Sequence, residues 1–151
     1  MRGSVVTEPS KSIWRPDVTM ASLKQRTLNT LVSHMGIEIT ELGSDYMKAT
    51  MPVDARSCQP LRILHGGASM VLAETLGSFA ANAVVDNTRF ACVGQEINAN
   101  HLRPVPEGQM VTGVTRPFHI GSRSHVWGIE ITNERGQLVC VSRITMAVIN
   151  R

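Results

Sequence analysis

Residues 66–85 limit what this chain can become more than any other segment. They run without a polar half, interrupted by Glu74, Ser78 and Asn82. Gly67, Ala68, Ala73, Gly77, Ala80, Ala81 and Ala83 leave little side-chain bulk, so other elements can approach closely. A helix that is apolar on nearly every face has to be enclosed. It is not a membrane span, because a carboxylate at mid-bilayer costs about 2.5–3.5 kcal/mol. The segment therefore predicts a buried helix in a soluble domain.

The neighbouring sequence supplies the enclosure. Four strand-like segments follow with no further helix signal, at 90–101, 109–119, 123–132 and 137–149, the last two joined by the turn Asn133-Glu-Arg-Gly136. Trp127, Ile129 and Ile131 alternate onto one face, as do Leu138, Cys140, Ile144, Met146 and Val148, with Ser142 interrupting the second set. Upstream, alternating segments at 37–42 and 46–51 flank a turn at 43–45 and read as a hairpin. One N-terminal helix is expected after the cap residues Asp17 to Thr19, running through Leu23, Leu28, Leu31 and Val32 and ending at Gly36. Residues 53–64 read as a loop, and 1–16 as a loose arm. The expected fold class is α+β, a long antiparallel sheet curled around one central helix, with an additional N-terminal helix. An arm over 1–18 and one domain over 19–151 suit a chain of 151 residues.

Several classes of function fall away on composition. Cys58, Cys92 and Cys140 are odd in number and show no paired spacing, which favours reduced thiols in a cytoplasmic protein over a disulfide framework or a metal site. Three of the 15 basic residues are Lys, and the rest are Arg, which suits bidentate recognition of phosphate or carboxylate. No Lys/Arg run interleaves with aromatics, so no nucleic-acid partner is expected.

Chemistry concentrates at 59–74. His65-Gly66-Gly67 opens the enclosed helix, where the first backbone N–H groups lack intrahelical partners. Glycine there admits a ligand oxygen, giving a phosphate cradle, an oxyanion hole or merely a tight turn. No Lys-Ser/Thr follows, which excludes a P-loop. Glu74 sits in apolar surroundings and is expected to have either a task, as general base or nucleophile, or a structural partner such as Arg103 or Arg143. Gly67 and Glu74 share a helix face but stand about 10 Å apart at 1.5 Å per residue. One copy of the helix struggles to bring both to a single carbon. Two antiparallel copies across a dimer axis would manage it, so a homodimeric site is expected. Ser78 would face the same cleft.

Three motifs, Gln59-Pro…Leu64-His-Gly-Gly-Ala-Ser…Leu72-Ala-Glu74, Gly94-Gln-Glu-Ile-Asn-Ala-Asn-His101 and His119-Ile-Gly-Ser-Arg123, occur in this order. Over residues 31–149 the chain resembles the hotdog-fold acyl-CoA thioesterases of the phenylacetate-pathway type. It is most similar to their branch that acts on 1,4-dihydroxy-2-naphthoyl-CoA and in enterobactin proofreading. The resemblance implies Glu74 as the catalytic carboxylate, with Gln59 and His65 orienting the thioester. It also implies the Gly66 and Gly67 amides as oxyanion hole and Ser78 beside the hydrolytic water. It assigns Gly94, then His101, Leu102, Arg103 and Pro104, then His119, Ile120, Gly121, Ser122, Arg123 and Ser124 to the CoA-bearing part of the substrate. It further implies an acyl-CoA or acyl-carrier-protein substrate, no separate cofactor, and dimers paired into tetramers. Leu61-Arg62 departs from the family's Phe-Gly, and 109–117 holds one extra residue that suggests a bulge. A non-catalytic CoA-ester-binding module and a Cys58–His65 nucleophile are the rivals.

Overall fold

The computed structural model describes residues 11–151. Its elements are α1 (Met20–Gln25), α2 (Leu31–His34), β1 (Glu38–Leu42), β2 (Met47–Pro52), α3 (Gly66–Val84), β3 (Phe90–His101), β4 (Met110–Ile120), β5 (Ser124–Thr132) and β6 (Leu138–Asn150). The strands form one six-stranded sheet in the order β1-β2-β4-β5-β6-β3, antiparallel throughout. The hairpin, the long helix and the four later strands all lie where the hydrophobic periodicity places them.

α3 crosses the concave face of the sheet. Leu72, Ala73, Leu76, Ala80 and Ala81 are fully buried against Met47, Ala49, Val111, Ile129, Ile144 and Met146. Small residues matter here for close approach: a Cβ at Gly77 would lie 2.4 Å from Cγ2 of Ile144. Burying each leucine contributes about 1.5–3 kcal/mol, so the helix is anchored by aliphatic packing. Its remaining side, with Met70, Val71, Glu74 and Ser78, is only half-buried.

Two expectations need correction. The single N-terminal helix is two short ones. Asn29 takes φ 57°, and Thr30 starts a new helix as an N-cap paired with Ser33. A left-handed residue cannot continue an α-helix, so the periodicity of Leu23, Leu28, Leu31 and Val32 spans a break. The arm is also not loose throughout. Ile13 and Arg15 donate backbone bonds to Ser44 and Ala83, and Trp14 is 8% exposed. The Trp14 ring stacks on Trp127 at 6.1 Å, and its indole donates to the Gly43 carbonyl at 2.6 Å. The part of the arm over 1–10 lies outside the described residues. The bulge falls one residue beyond the expected stretch, at Phe118, between Pro117 and His119.

Candidate active site

The N-terminal end of α3 is built by the 57–65 loop. His65 donates its backbone N–H to the Ser57 carbonyl, Leu64 donates to Val105, and Gln59 donates to Ile63. Arg62, at φ 57°, closes the turn by donating its backbone N–H to the Gln59 carbonyl. Its guanidinium forks onto both carboxylate oxygens of Glu107. The loop is thereby stapled to 105–107, and the Leu61-Arg62 departure from the family pattern has a structural use.

His65 is the N-cap, and its Nδ1 accepts the Gly67 N–H at 2.8 Å. The Gly67 amide is therefore engaged within the chain, whereas the Gly66 amide has no acceptor among the described residues. The His101 ring packs close over Gly66, where a Cβ would lie 2.8 Å from its Nε2 and would push the ring aside. The Gln59 side-chain oxygen accepts the Leu61 N–H, which leaves its NH2 as a donor. Gln59, Leu64, Gly66, Ser69, His101 and Arg103 line a cavity of about 340 Å³, together with Leu102 and Pro104. Five expected positions thus converge with Gly66 on one hollow: Gln59, His101, Leu102, Arg103 and Pro104.

Glu74 lies two turns further along. Its carboxylate rests on β3 at Gly94, where a Cβ would come within 2.3 Å of Oε1. The register of β3 against β6 slips between Gly94 and Glu96, so the glycine sits at a bulge. Ser78 Oγ donates to Glu74 Oε1 at 3.4 Å, from one turn below. Among the described residues Glu74 has no ion pair. Neither Arg considered as its structural partner reaches it: Arg103 donates to the Leu138 carbonyl at 2.6 Å, and Arg143 lines a hollow on the opposite sheet face.

The third group lies at Glu74's end of the sheet. Gly94 pairs with Met146, Met146 with His125 and His125 with Ile120, so the β4–β5 turn ends the same row roughly 14 Å across. His119, Ile120, Ser122 and Arg123 are exposed there, and Gly121 donates to the Ser124 carbonyl. A Cβ on Gly121 would meet the His119 ring at 2.5 Å. By contrast, His101 pairs with Cys140, roughly 20 Å along β3 from Gly94. One chain therefore does not bring His101–Pro104 together with His119–Ser124, nor Gly66 together with Glu74.

His125 is buried. Its burial lowers its pKa from the ordinary value. Periodicity did carry the signal, since His125 is in phase with Trp127 and Ile129. Two of the three cysteines are buried and disfavoured as nucleophiles. Burial raises Cys92 to about 11 and raises Cys140 as well. Cys58 pairs through its backbone with Leu64, while the His65 Nδ1 is held by Gly67. Among the described residues no group of His, Cys, Asp and Glu could hold a metal ion, and no helix is long and apolar enough to cross a membrane. A hollow of about 500 Å³ lies on the outer sheet face among Arg116, Phe118, Glu130 and Arg143. No expected site residue lines it.

Comparison with known proteins gives one answer. Residues 61–140 match the model of the thioesterase superfamily. The 1,4-dihydroxy-2-naphthoyl-CoA hydrolase of Escherichia coli is 45% identical over 137 residues, covering 91% of this chain and 99% of that protein. The proofreading thioesterase EntH of Cronobacter turicensis is 48% identical over 136 residues, covering 90% and 98%. The crystal structure of a Pseudomonas aeruginosa thioesterase variant superposes with a TM-score of 0.89 at 41% identity, covering 93% of this chain and all of that one. With its six strands wrapped on one long helix, this chain belongs to the thioesterase superfamily, as a thioester-hydrolysing enzyme of the hotdog fold.

Proposed function

We propose that this protein hydrolyses acyl-CoA thioesters with an aromatic acyl group, in an active site shared between two antiparallel copies of the chain. 1,4-Dihydroxy-2-naphthoyl-CoA, the substrate in the name of the E. coli relative, is the best single candidate. The observation that carries the reading is the seating of the Glu74 carboxylate: half-buried, without a cation, and held open by Gly94 and Ser78. A carboxylate that merely stabilised the fold would be paired.

The distances support a shared site. Gly66 and Glu74 are about 12 Å apart along one helix, too far to serve one thioester carbon. The half-buried side of α3 lies beside β3, an edge strand of 12 residues whose outward groups include Val93, 44% exposed. A long unpaired edge is a template for pairing. A twofold axis beside β3 would set each Glu74 near the partner copy's helix N-terminus and gather the two CoA-binding groups from opposite subunits.

In that site the Gly66 amide, rather than the engaged Gly67 amide, donates to the thioester oxygen. The Gln59 NH2 and the helix dipole act beside it. Glu74 either takes a proton from water as the water oxygen bonds to the carbonyl carbon, or bonds to that carbon itself. The C–S bond then breaks: in the first course the leaving sulfur takes the proton that Glu74 removed from water, and in the second it leaves as thiolate and is protonated by the proton released when water attacks. In the second course water cleaves the resulting anhydride. Oxygen-18 uptake into Glu74 in a single turnover separates the two. Glu74→Gln is expected to lower turnover of benzoyl-CoA by about 10²–10⁴-fold with an unchanged circular-dichroism spectrum. Near-normal turnover in that variant contradicts the reading.

A further inference from the structure

Beside the cavity at Gly66 lies a second, smaller hollow of about 230 Å³, between the 102–109 loop and the β5–β6 turn. The two hollows share Arg103 and Pro104 as walls. Arg103 brings one guanidinium to this notch and Arg135 a second, with Gln109, Asn133 and Gln137 completing the polar lining. We propose that the notch is a phosphate subsite for the thiol-side arm of the substrate, in which Arg135 acts with Arg103. This rests on the thioester-hydrolase reading above.

Three observations support an anion there. First, no carboxylate lines the notch. The acidic residues flanking it in sequence are turned away: Glu107 takes the Arg62 fork, and Glu134 Oε1 accepts the Met110 N–H at 2.9 Å. Neither arginine of the notch has an ion pair among the described residues. Second, one donor and the turn that carries the other are held in place. Arg103 is held by its 2.6 Å bond to the Leu138 carbonyl, which leaves its other N–H groups unspent. Asn133 Oδ1 accepts the backbone N–H of both Arg135 and Gln137 at 3.0 Å, which rigidifies the turn carrying Arg135. Third, the Gln137 side-chain oxygen is taken by Asn133 Nδ2, so the free end of that amide is its NH2. The notch therefore presents donors and positive charge, and a phosphate supplies acceptors and negative charge. Planar guanidinium groups bind phosphate oxygens in pairs. The resemblance assigns His101–Pro104 to the CoA-bearing part of the substrate, and the notch shares Arg103 and Pro104 with the cavity those residues line.

The phosphate could belong to the diphosphate of CoA or to the single phosphodiester of a carrier protein's arm. Steady-state KM values for benzoyl-CoA, benzoyl-4′-phosphopantetheine and benzoyl-pantetheine, measured on the intact protein, distinguish these sources. Arg135→Gln is expected to raise KM for phosphorylated esters about 5–10-fold at unchanged kcat, and to shrink their advantage over the pantetheine ester by that factor. Arg135→Lys is expected to fall between, because it keeps the charge without the fork. An increase for both phosphorylated esters assigns the notch to the phosphate that a carrier protein shares. An increase for benzoyl-CoA alone assigns it to the phosphates beyond. Unchanged KM values, or an equal rise for all three esters, overturn the subsite while leaving hydrolysis intact. If the wild-type protein hydrolysed none of them, the hydrolase reading would fail. Calorimetric titration with CoA would then still test the notch, with a 5–10-fold weaker Kd in Arg135→Gln supporting it and an equal Kd overturning it.

Discussion

The two ends of the working face of α3 are built in opposite ways. At the N-terminus, the 57–65 loop, α3 itself and the stretch 101–104 converge on a formed cavity rich in hydrogen-bond donors: the Gly66 amide, the Gln59 NH2 and Arg103. No carboxylate lines it. Two turns on, the Glu74 carboxylate lies against a bulged strand, with Ser78 as its one side-chain hydrogen-bond partner among the described residues. On the proposed reading the first end would stabilise an oxyanion and the second would supply the base, and a twofold axis is the simplest operation that joins them.

The comparison can be broken first at Gly94. Gly94→Ala puts a Cβ 2.3 Å from the present position of Glu74 Oε1, and 3.2 Å from its carboxyl carbon. The carboxylate is the far end of a flexible side chain, so it moves and the fold survives. A displacement of about 1 Å from a reacting centre costs up to 10²-fold. A 10–10²-fold loss in kcat is expected, with little change in thermal midpoint, read by thiol release and calorimetry. Wild-type kcat in Gly94→Ala would mean that Glu74 does not work from this seat.

A smaller effect sharpens the same contrast through stability. The carboxylate end carries buried His125, whereas His65 and His101 at the cavity end are exposed. Burial lowers the His125 pKa below its ordinary 6.5. The unfolded chain therefore binds the proton first, and stability falls as pH drops below about 6.5 toward the folded-state value. The thermal midpoint is expected to decline over that window, and His125→Phe to flatten the decline. An unchanged slope would contradict it.

Much of this was legible in the sequence because the constraints were local. The enclosed helix, the four strands and the hairpin follow from periodicity, and the seven-residue offset from Gly67 to Glu74 exposes the reach problem without coordinates. What escaped was set by single-residue conformations, by one capping bond and by tertiary contacts. The break at Asn29 depends on one residue taking a left-handed conformation that the spacing of leucines hides. Trp14 is anchored by Trp127, more than a hundred positions away in sequence, which an arm rich in polar residues does not reveal. The choice of Gly66 over Gly67 turns on a single side-chain bond from the Gly67 amide to His65. The notch at Arg135 needs two turns brought side by side.

Two crippled chains in one assembly test the division of labour most directly. Glu74→Gln removes the base from one half-site and Gln59→Ala removes a donor from the other, so homo-oligomers of either are expected to be impaired. Co-expressed with different tags and purified through both, the mixed dimer keeps one intact pair of ends. A site shared across the axis predicts that random mixing restores about a quarter of wild-type activity, and the doubly tagged dimer about half. No recovery above the sum of the two variants would mean that each chain works alone, and would contradict the composite site.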